Sequence, residues 1–264
     1  MRRTDHDHQP TRLPEIKTKP DEQSVDRIVV KYIEDYARCK DKIYILEAGC
    51  GRRWPYDLSR IRYVLTGIDI NEDALRIRQQ EKDDLHHVVL GDLRTASFAR
   101  QSFDIIYSCF VLEHLSQTQL VLANFLEWLK PNGLLILKFP DRDSVYGFIA
   151  RMTPFCFHIL YKKYLIGNRN AGKPGFGPFP TIYEKIIARE AFHTFIRRSN
   201  LIVREEYGFG IQSGIEKLFA NLCAQLSVGR LTAEYCNLLY ILEAQPASPS
   251  ALSGDFARLD LANC

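Results

Sequence analysis

The chain has 264 residues, 46% of them hydrophobic, and a formal net charge of +3. That length suits one large domain carrying a substantial insert, and the apolar content is enough to build its core. Positive and negative residues are interspersed, so no basic face is expected for a phosphate backbone, and nucleic acid is excluded as a partner.

The opening stretch, MRRTDHDHQPTRLPEIKTKPDEQ, carries two arginines with no apolar run behind them, and no later run reaches the length of a membrane span. The expected location is therefore the cytoplasm, with no transmembrane segment. Seven cysteines without a CxxC pair read as reduced thiols. Cys50, Cys109 and Cys156 are expected as small buried hydrophobes. The DHDH run at Asp5 to His8 lies on a polar terminus, and no metal site is expected there.

Residues 1–20 read as a flexible N-terminal segment. The following stretch places Val25, Ile28, Val29, Tyr32, Ile33 and Tyr36 at helical spacing, with Ser24 as the available cap. Five short apolar runs come next, KIYILEAG, YVLTGIDI, HHVVLGDL, FDIIYSCF and GLLILKFP, separated by helix-length stretches. That rhythm is the pattern of a parallel sheet with crossover helices. A helix over SQTQLVLANFLEWLK is expected to end at Lys130, where PNG stops it before the fifth strand.

The rhythm breaks over 139–183, which holds ten of the chain's 28 phenylalanines and tyrosines together with clustered glycines and prolines. Such a segment reads as a shaped lid above the strand ends. Helix, strand, helix and strand follow, and 246–264 reads as a disordered tail. The expected fold is α/β, a Rossmann-like seven-stranded, mostly parallel sheet with helices on both faces and an aromatic-rich lid insert after the fifth strand. The domain spans 21–245, and its ligand crevice is expected at the carboxyl ends of the strands.

The candidate site falls at that crevice. Gly49 and Gly51 directly follow the first strand, where the missing Cβ lets the backbone turn sharply and approach a ligand. Asp69 ends the second strand, a carboxylate able to accept from a ribose diol, so the pair points to an adenosine-containing ligand. A dinucleotide-binding turn needs a third glycine, and Trp54 followed by Pro55 stands there instead. NAD and FAD are disfavoured on that ground.

The ordered series ILEAGCG, TGIDINEDAL, LGDL, FDIIYSCFVLEHL and LKPNGLLIL resembles the class I S-adenosylmethionine-dependent methyltransferases, in particular the UbiE-like small-molecule group. The resemblance covers roughly 42–139 and departs from the family pattern at Arg53, where a small residue is usual. It implies S-adenosylmethionine as cofactor, with Glu47, Gly49 and Gly51 at its methionine end. Asp69 would take the ribose hydroxyls and Ile70 would pack on the adenine. Asp92 would accept from the adenine amino group beside the Leu93 backbone, and Cys109 would lie near the sulfonium.

Methyl transfer is an in-line displacement in which the protein chiefly aligns the nucleophile. A hydroxyl acceptor profits from a base, and His114 in VLEHL is the placed candidate. On the lid, His158, Tyr161, Tyr183 and Lys173 are candidates for the acceptor's pocket. The expected acceptor is a small, largely apolar or aromatic metabolite methylated on oxygen, carbon or nitrogen, by a monomer or homodimer. The same lid aromatics also suit packing against a partner copy or peripheral contact with a membrane, since RMTPFCFHILYKKYLIG mixes apolar and basic residues. An NAD-dependent oxidoreductase and a cofactor-binding protein without catalysis stay open as alternatives.

Overall fold

The computed structural model describes residues 13–165, 167–210 and 214–246. The DHDH run and all but the first residue of the expected tail lie outside these residues. Eight strands form one sheet: β1 (Lys17–Lys19), β2 (Ile43–Ala48), β3 (Tyr63–Asp69), β4 (His87–Leu90), β5 (Phe103–Cys109), β6 (Leu129–Pro140), β7 (Leu201–Phe209) and β8 (Asn237–Ala244). Their order is β1-β7-β8-β6-β5-β2-β3-β4, with β8 antiparallel to both β6 and β7 and every other pairing parallel. The α/β class stands, with a strand more than the seven expected. The extra one, β1, falls in the segment read as flexible; three polar residues carry no strand signal, and β1 forms by pairing along the edge of β7.

Alternation along the central strands divides the core into two layers. Leu46, Ile106, Leu135 and Leu137 face Val121 and Phe125 of α3 (Thr118–Trp128) and Phe192 of α6 (Arg189–Arg198). Ile45, Ile105, Ile136 and Ile241 face the other way, onto α1 (Glu22–Ala37), whose Val25, Val29 and Ile33 recur every four residues and are fully buried. Helices therefore cover both faces. The cap of α1 is Asp21 rather than Ser24: Asp21 Oδ1 accepts from the Ser24 backbone N–H at 2.8 Å and from its hydroxyl at 2.7 Å.

Two further elements depart from the sequence expectation. The connection from β2 to β3 contains no helix, because Pro55 breaks it and Tyr56 and Leu58 alternate inward into the α1 layer. The helix before β6 ends at Trp128 instead of Lys130, since Leu129 is drawn into the sheet against Phe103 and the PNG turn sits at an irregularity in that ladder. β2 and β5 are neighbours from which the chain order runs outward in both directions, so the switch point lies where Gly49 and Cys109 emerge.

After β6 come α4 (Val145–Met152), α5 (Phe155–Leu160), a π-helical turn over Tyr161–Leu165 and a long irregular return to α6. This is the segment expected as the lid. Its irregular return docks on the short turn after β5 through the Ile182 and Tyr183 backbone N–H groups, both donating to Glu113 O. Helix α7 (Ile215–Leu226) lies between β7 and β8 and touches α4.

Candidate active site

The turn after β2 has the geometry that its glycines require. Gly49 has φ +73° and Gly51 φ +53°, a region that costs a side-chain-bearing residue about 1 kcal/mol or more. A Cβ at Gly49 would stand 2.3 Å from Val111 Cγ2, so the turn packs directly on the segment leaving β5. At Gly51 a Cβ would meet nothing within 4 Å, so this glycine borders open space. Asp69 ties the turn to the end of β3: its Oδ2 accepts from Gly51 N at 2.7 Å and its Oδ1 from Asn71 N at 2.8 Å. Ile70 follows at 68% exposure, an apolar side chain offered to whatever fills the crevice.

Glu47 sits below this turn and is buried. Its Oε2 forms an ion pair with Arg78 Nη1 at 2.8 Å, and Arg78, on α2 (Glu72–Glu81), also bonds Asp84 and the Cys50 carbonyl. Burial pushes the Glu47 carboxyl up to about 8 against the pull of Arg78. Glu47 thus supports the glycine turn from beneath. Asp92 is engaged by its own neighbour: the Arg94 backbone N–H and Nε donate to Oδ1 at 2.9 and 3.0 Å, and Arg94 Nη1 reaches Ser116. A ligand amino group at Asp92 shares the carboxylate with Arg94. Leu93 is buried, and its carbonyl accepts from Asn124 Nδ2 at 2.9 Å.

Cys109 ends β5 half-buried, and burial pushes its thiol up to about 12 despite nearby Lys138, so it is a protonated thiol rather than a nucleophile. Lys138 is buried in β6, where Nζ donates to Asp26 Oδ1 at 2.7 Å and Glu22 Oε1 at 2.9 Å. Tyr56 OH reaches Asp26 at 3.1 Å and Tyr107 OH at 2.9 Å. Trp54 packs edge-on against Tyr56 and Tyr107 with ring centres 5.1 and 5.5 Å away, so its bulk joins the α1 layer. Lys138, a lone charge inside LLILKF, was the sequence signal for this network.

His114 lies on a 3-10 turn, Leu112–His114, immediately after β5. Its Nδ1 stands 2.7 Å from the Pro180 carbonyl of the lid. A carbonyl only accepts, so Nδ1 carries the proton and Nε2 holds the lone pair of the neutral ring. Burial lowers the imidazole below its usual range, although the Pro180 bond opposes it. Glu113 Oε1 is 3.7 Å from His114 Nε2, and burial pushes that carboxyl up to about 8. Tyr183 is buried beside them, while His158 joins it in lining a cavity of about 320 Å³ within the lid segment. Tyr161 is 53% exposed and lies outside that cavity, and Lys173 bonds Asn170 within the lid. An open depression of about 550 Å³ around Arg62 and His86 lies at the opposite, amino ends of β2 and β3, away from this chemistry.

The lid also reaches the glycine turn, a contact that sequence reasoning missed. The Arg52 guanidinium stacks 4.0 Å from the Phe176 ring centre, while Arg53 is exposed. Gly175 has φ +74°, and a Cβ there would stand 2.9 Å from Ile77 Cδ1 and 3.3 Å from Ala74 N, so the lid tip touches the first turn of α2. Gly175→Val is expected to lift this tip and weaken adenosine-ligand binding about tenfold, read by calorimetry with S-adenosylhomocysteine; unchanged affinity would mean that the tip does not cover the site.

The switch-point crevice and the GxG turn held by an acidic residue at the next strand end agree with the resemblance to the class I S-adenosylmethionine-dependent methyltransferases. Residues 46–137 match the family model described as Methyltransferase domain. S-adenosylmethionine is its cofactor, and the residues present fit it: Gly51 borders open space, Asp69 is anchored at the end of β3, where the resemblance would put the ribose, and Ile70 is exposed beside it. A ubiquinone biosynthesis O-methyltransferase of Coxiella burnetii is 27% identical over 143 residues, covering 52% of this chain. One of Bradyrhizobium diazoefficiens is 26% identical over 152 residues, covering 50%. The chain spans 61% and 59% of the lengths of these relatives. The fold is shared with a SAM-dependent methyltransferase from Archaeoglobus fulgidus (TM-score 0.50, 16% identity, 84% of this chain and 93% of that one). It is shared too with one from Mesorhizobium loti (TM-score 0.52, 13% identity, 81% and 96%).

Proposed function

We propose that the protein transfers a methyl group from S-adenosylmethionine to a hydroxyl oxygen of a small, lipophilic, aromatic acceptor, with His114 as the base. The observation that carries this reading is the bond from His114 Nδ1 to Pro180 O, which leaves Nε2 as a proton acceptor on a ring that is neutral at physiological pH. Bound S-adenosylmethionine supplies a methyl carbon already activated by the sulfonium. Asp69 and the glycine turn hold the ribose and methionine parts, the lid excludes water, and His114 Nε2 takes the hydroxyl proton as the oxygen attacks.

Oxygen as the methylated atom agrees with the relatives, both named for O-methylation in ubiquinone biosynthesis. A lipophilic acceptor agrees with the rim of the lid, where Met152, Phe157, Leu160 and Tyr164 are 48 to 70% exposed beside Lys162 and Lys163. Such a rim suits peripheral contact with a lipid surface. Among the described residues no helix is long and apolar enough to cross a membrane.

The test is methyl transfer to a panel of alkylated phenols and catechols, followed by mass spectrometry, in the wild type and His114→Gln. Turnover of the variant is expected to fall about 100-fold. Because the imidazole is held below its usual value of about 6.5, kcat should stay flat from neutral pH down past 6.5 and fall only in more acid solution, and the substitution should remove that acid limb. Undiminished turnover in His114→Gln would sink the role of His114, and methylation of carbon or nitrogen would redirect the reading.

A further inference from the structure

The cavity within the lid segment is lined by Arg142, just beyond β6, Arg151 of α4, His158 of α5, and Thr153, Thr181 and Tyr183. Arg142 is held in place: its Nε donates to Tyr183 O at 2.9 Å and its Nη1 to Asp143 Oδ1 at 3.1 Å. Arg151 is different. Its hydrogen bond is from Nε to Gly147 O at 3.3 Å, and among the described residues it makes no ion pair. Its guanidinium is nevertheless partly buried, and it shares the cavity with a second arginine. Arg142 is paired with Asp143, whereas among the described residues Arg151 has no carboxylate in ion-pair contact at the cavity wall, so a negative group from outside the chain would give it a partner.

The same cavity abuts the proposed chemistry. Pro180 contributes to its wall and accepts the His114 bond, and the Tyr183 backbone N–H donates to Glu113 O. The Thr181 hydroxyl is a further donor of the kind an oxyanion uses, while that of Thr153 already donates to Ile149 O at 2.7 Å. We propose that this cavity is an anion subsite for the acceptor, in which Arg151, with Arg142 beside it, grips a carboxylate or phosphate carried by the same molecule whose hydroxyl meets His114. The proposal rests on reading the crevice beneath the lid as the acceptor site. It makes the acceptor an amphiphile, charged where it enters the protein and apolar where it meets the lid rim. Burial, and after it the neighbouring Arg142, lower the Arg151 guanidinium from its ordinary value, with Asp143 pulling the other way. A planar guanidinium fork matches either oxyanion in two-point fashion, and Lys replaces it only as a point charge.

Three probes test this by ligand-observed NMR titration with S-adenosylhomocysteine present: benzoate, phenyl phosphate and the neutral benzyl alcohol. At least one of the two anions is expected to bind tenfold or more tightly than benzyl alcohol. The tighter of the two identifies the head group as carboxylate or phosphate. Arg151→Gln should abolish the preference, Arg151→Lys should keep part of it, and circular dichroism checks that both variants fold. Equal binding of the three probes, no binding of any, or a preference that survives Arg151→Gln would overturn the subsite. A separate titration of S-adenosylhomocysteine into the wild type keeps the two readings apart. Silence there, with anion preference intact, removes the methyl-transfer reading and leaves the subsite; the reverse result removes the subsite alone.

Discussion

Asp69→Ala is expected to weaken S-adenosylhomocysteine binding by about 100-fold or more, since each hydrogen bond to a charged group contributes about 1.5–3 kcal/mol and about 1.4 kcal/mol is tenfold in affinity. Two effects combine. The ribose hydroxyls would lose the carboxylate proposed to accept from them, and the Gly51 N–H would lose the 2.7 Å bond that fixes the turn. Asp69→Asn keeps one carbonyl oxygen and should lose about tenfold, as a neutral acceptor forms the weaker bond. Calorimetry with the wild type and both variants, alongside NAD, makes the check. Unaltered affinity in Asp69→Ala would remove this residue from the cofactor site, and heat from NAD would reopen the dinucleotide reading that Trp54 argues against.

The second large effect concerns stability. Arg78 is fully buried and holds three partners at once: Glu47 at 2.8 Å, Asp84 at 2.8 Å and the Cys50 carbonyl at 2.8 Å. Removing the guanidinium leaves the Asp84 carboxylate unpaired and strips the buried Glu47 carboxyl and Cys50 carbonyl of their donor, at about 3–5 kcal/mol. Arg78→Met should therefore lower the melting temperature by about 10 °C, taking about 2–4 °C per kcal/mol for a chain of this size. Glu47→Gln on top of it should restore a few degrees, because the orphaned carboxyl is then gone and contacting sites are not additive. A shift under about 2 °C for the single variant would mean that the turn does not depend on this pair. Since Cys50 lies between Gly49 and Gly51, the same variant should also weaken cofactor-product binding.

Much of the site was legible because it is local. The spacing of GxG after one apolar run and of Asp69 at the end of the next puts both at adjacent strand ends, and a parallel sheet then leaves them side by side. His114 followed for the same reason, one short turn past β5. Arg78 was not legible: on a short polar helix it reads as a solvated charge, and it is buried because Glu47 and Asp84 face it from other elements. Arg151 was equally hidden, since only the fold sets it against Arg142 and Tyr183, and Tyr161, singled out with His158, stands outside their cavity.

The sequence by itself determined the α/β class, the alternation of the central strands with helices and the adenosine-type turn, because strand period, glycine conformation and strand-end acidity are properties of a few adjacent residues; the ordered motif series carried the resemblance that named the cofactor. Only the tertiary structure decided that β1 adds to the edge of β7, that Trp54 turns into the α1 layer and that the lid returns to touch both His114 and the start of α2. Those are contacts between segments far apart in the chain. They are selected by which buried surfaces and hydrogen-bonding groups remain to be satisfied once the sheet has formed, and no short stretch of sequence carries that information.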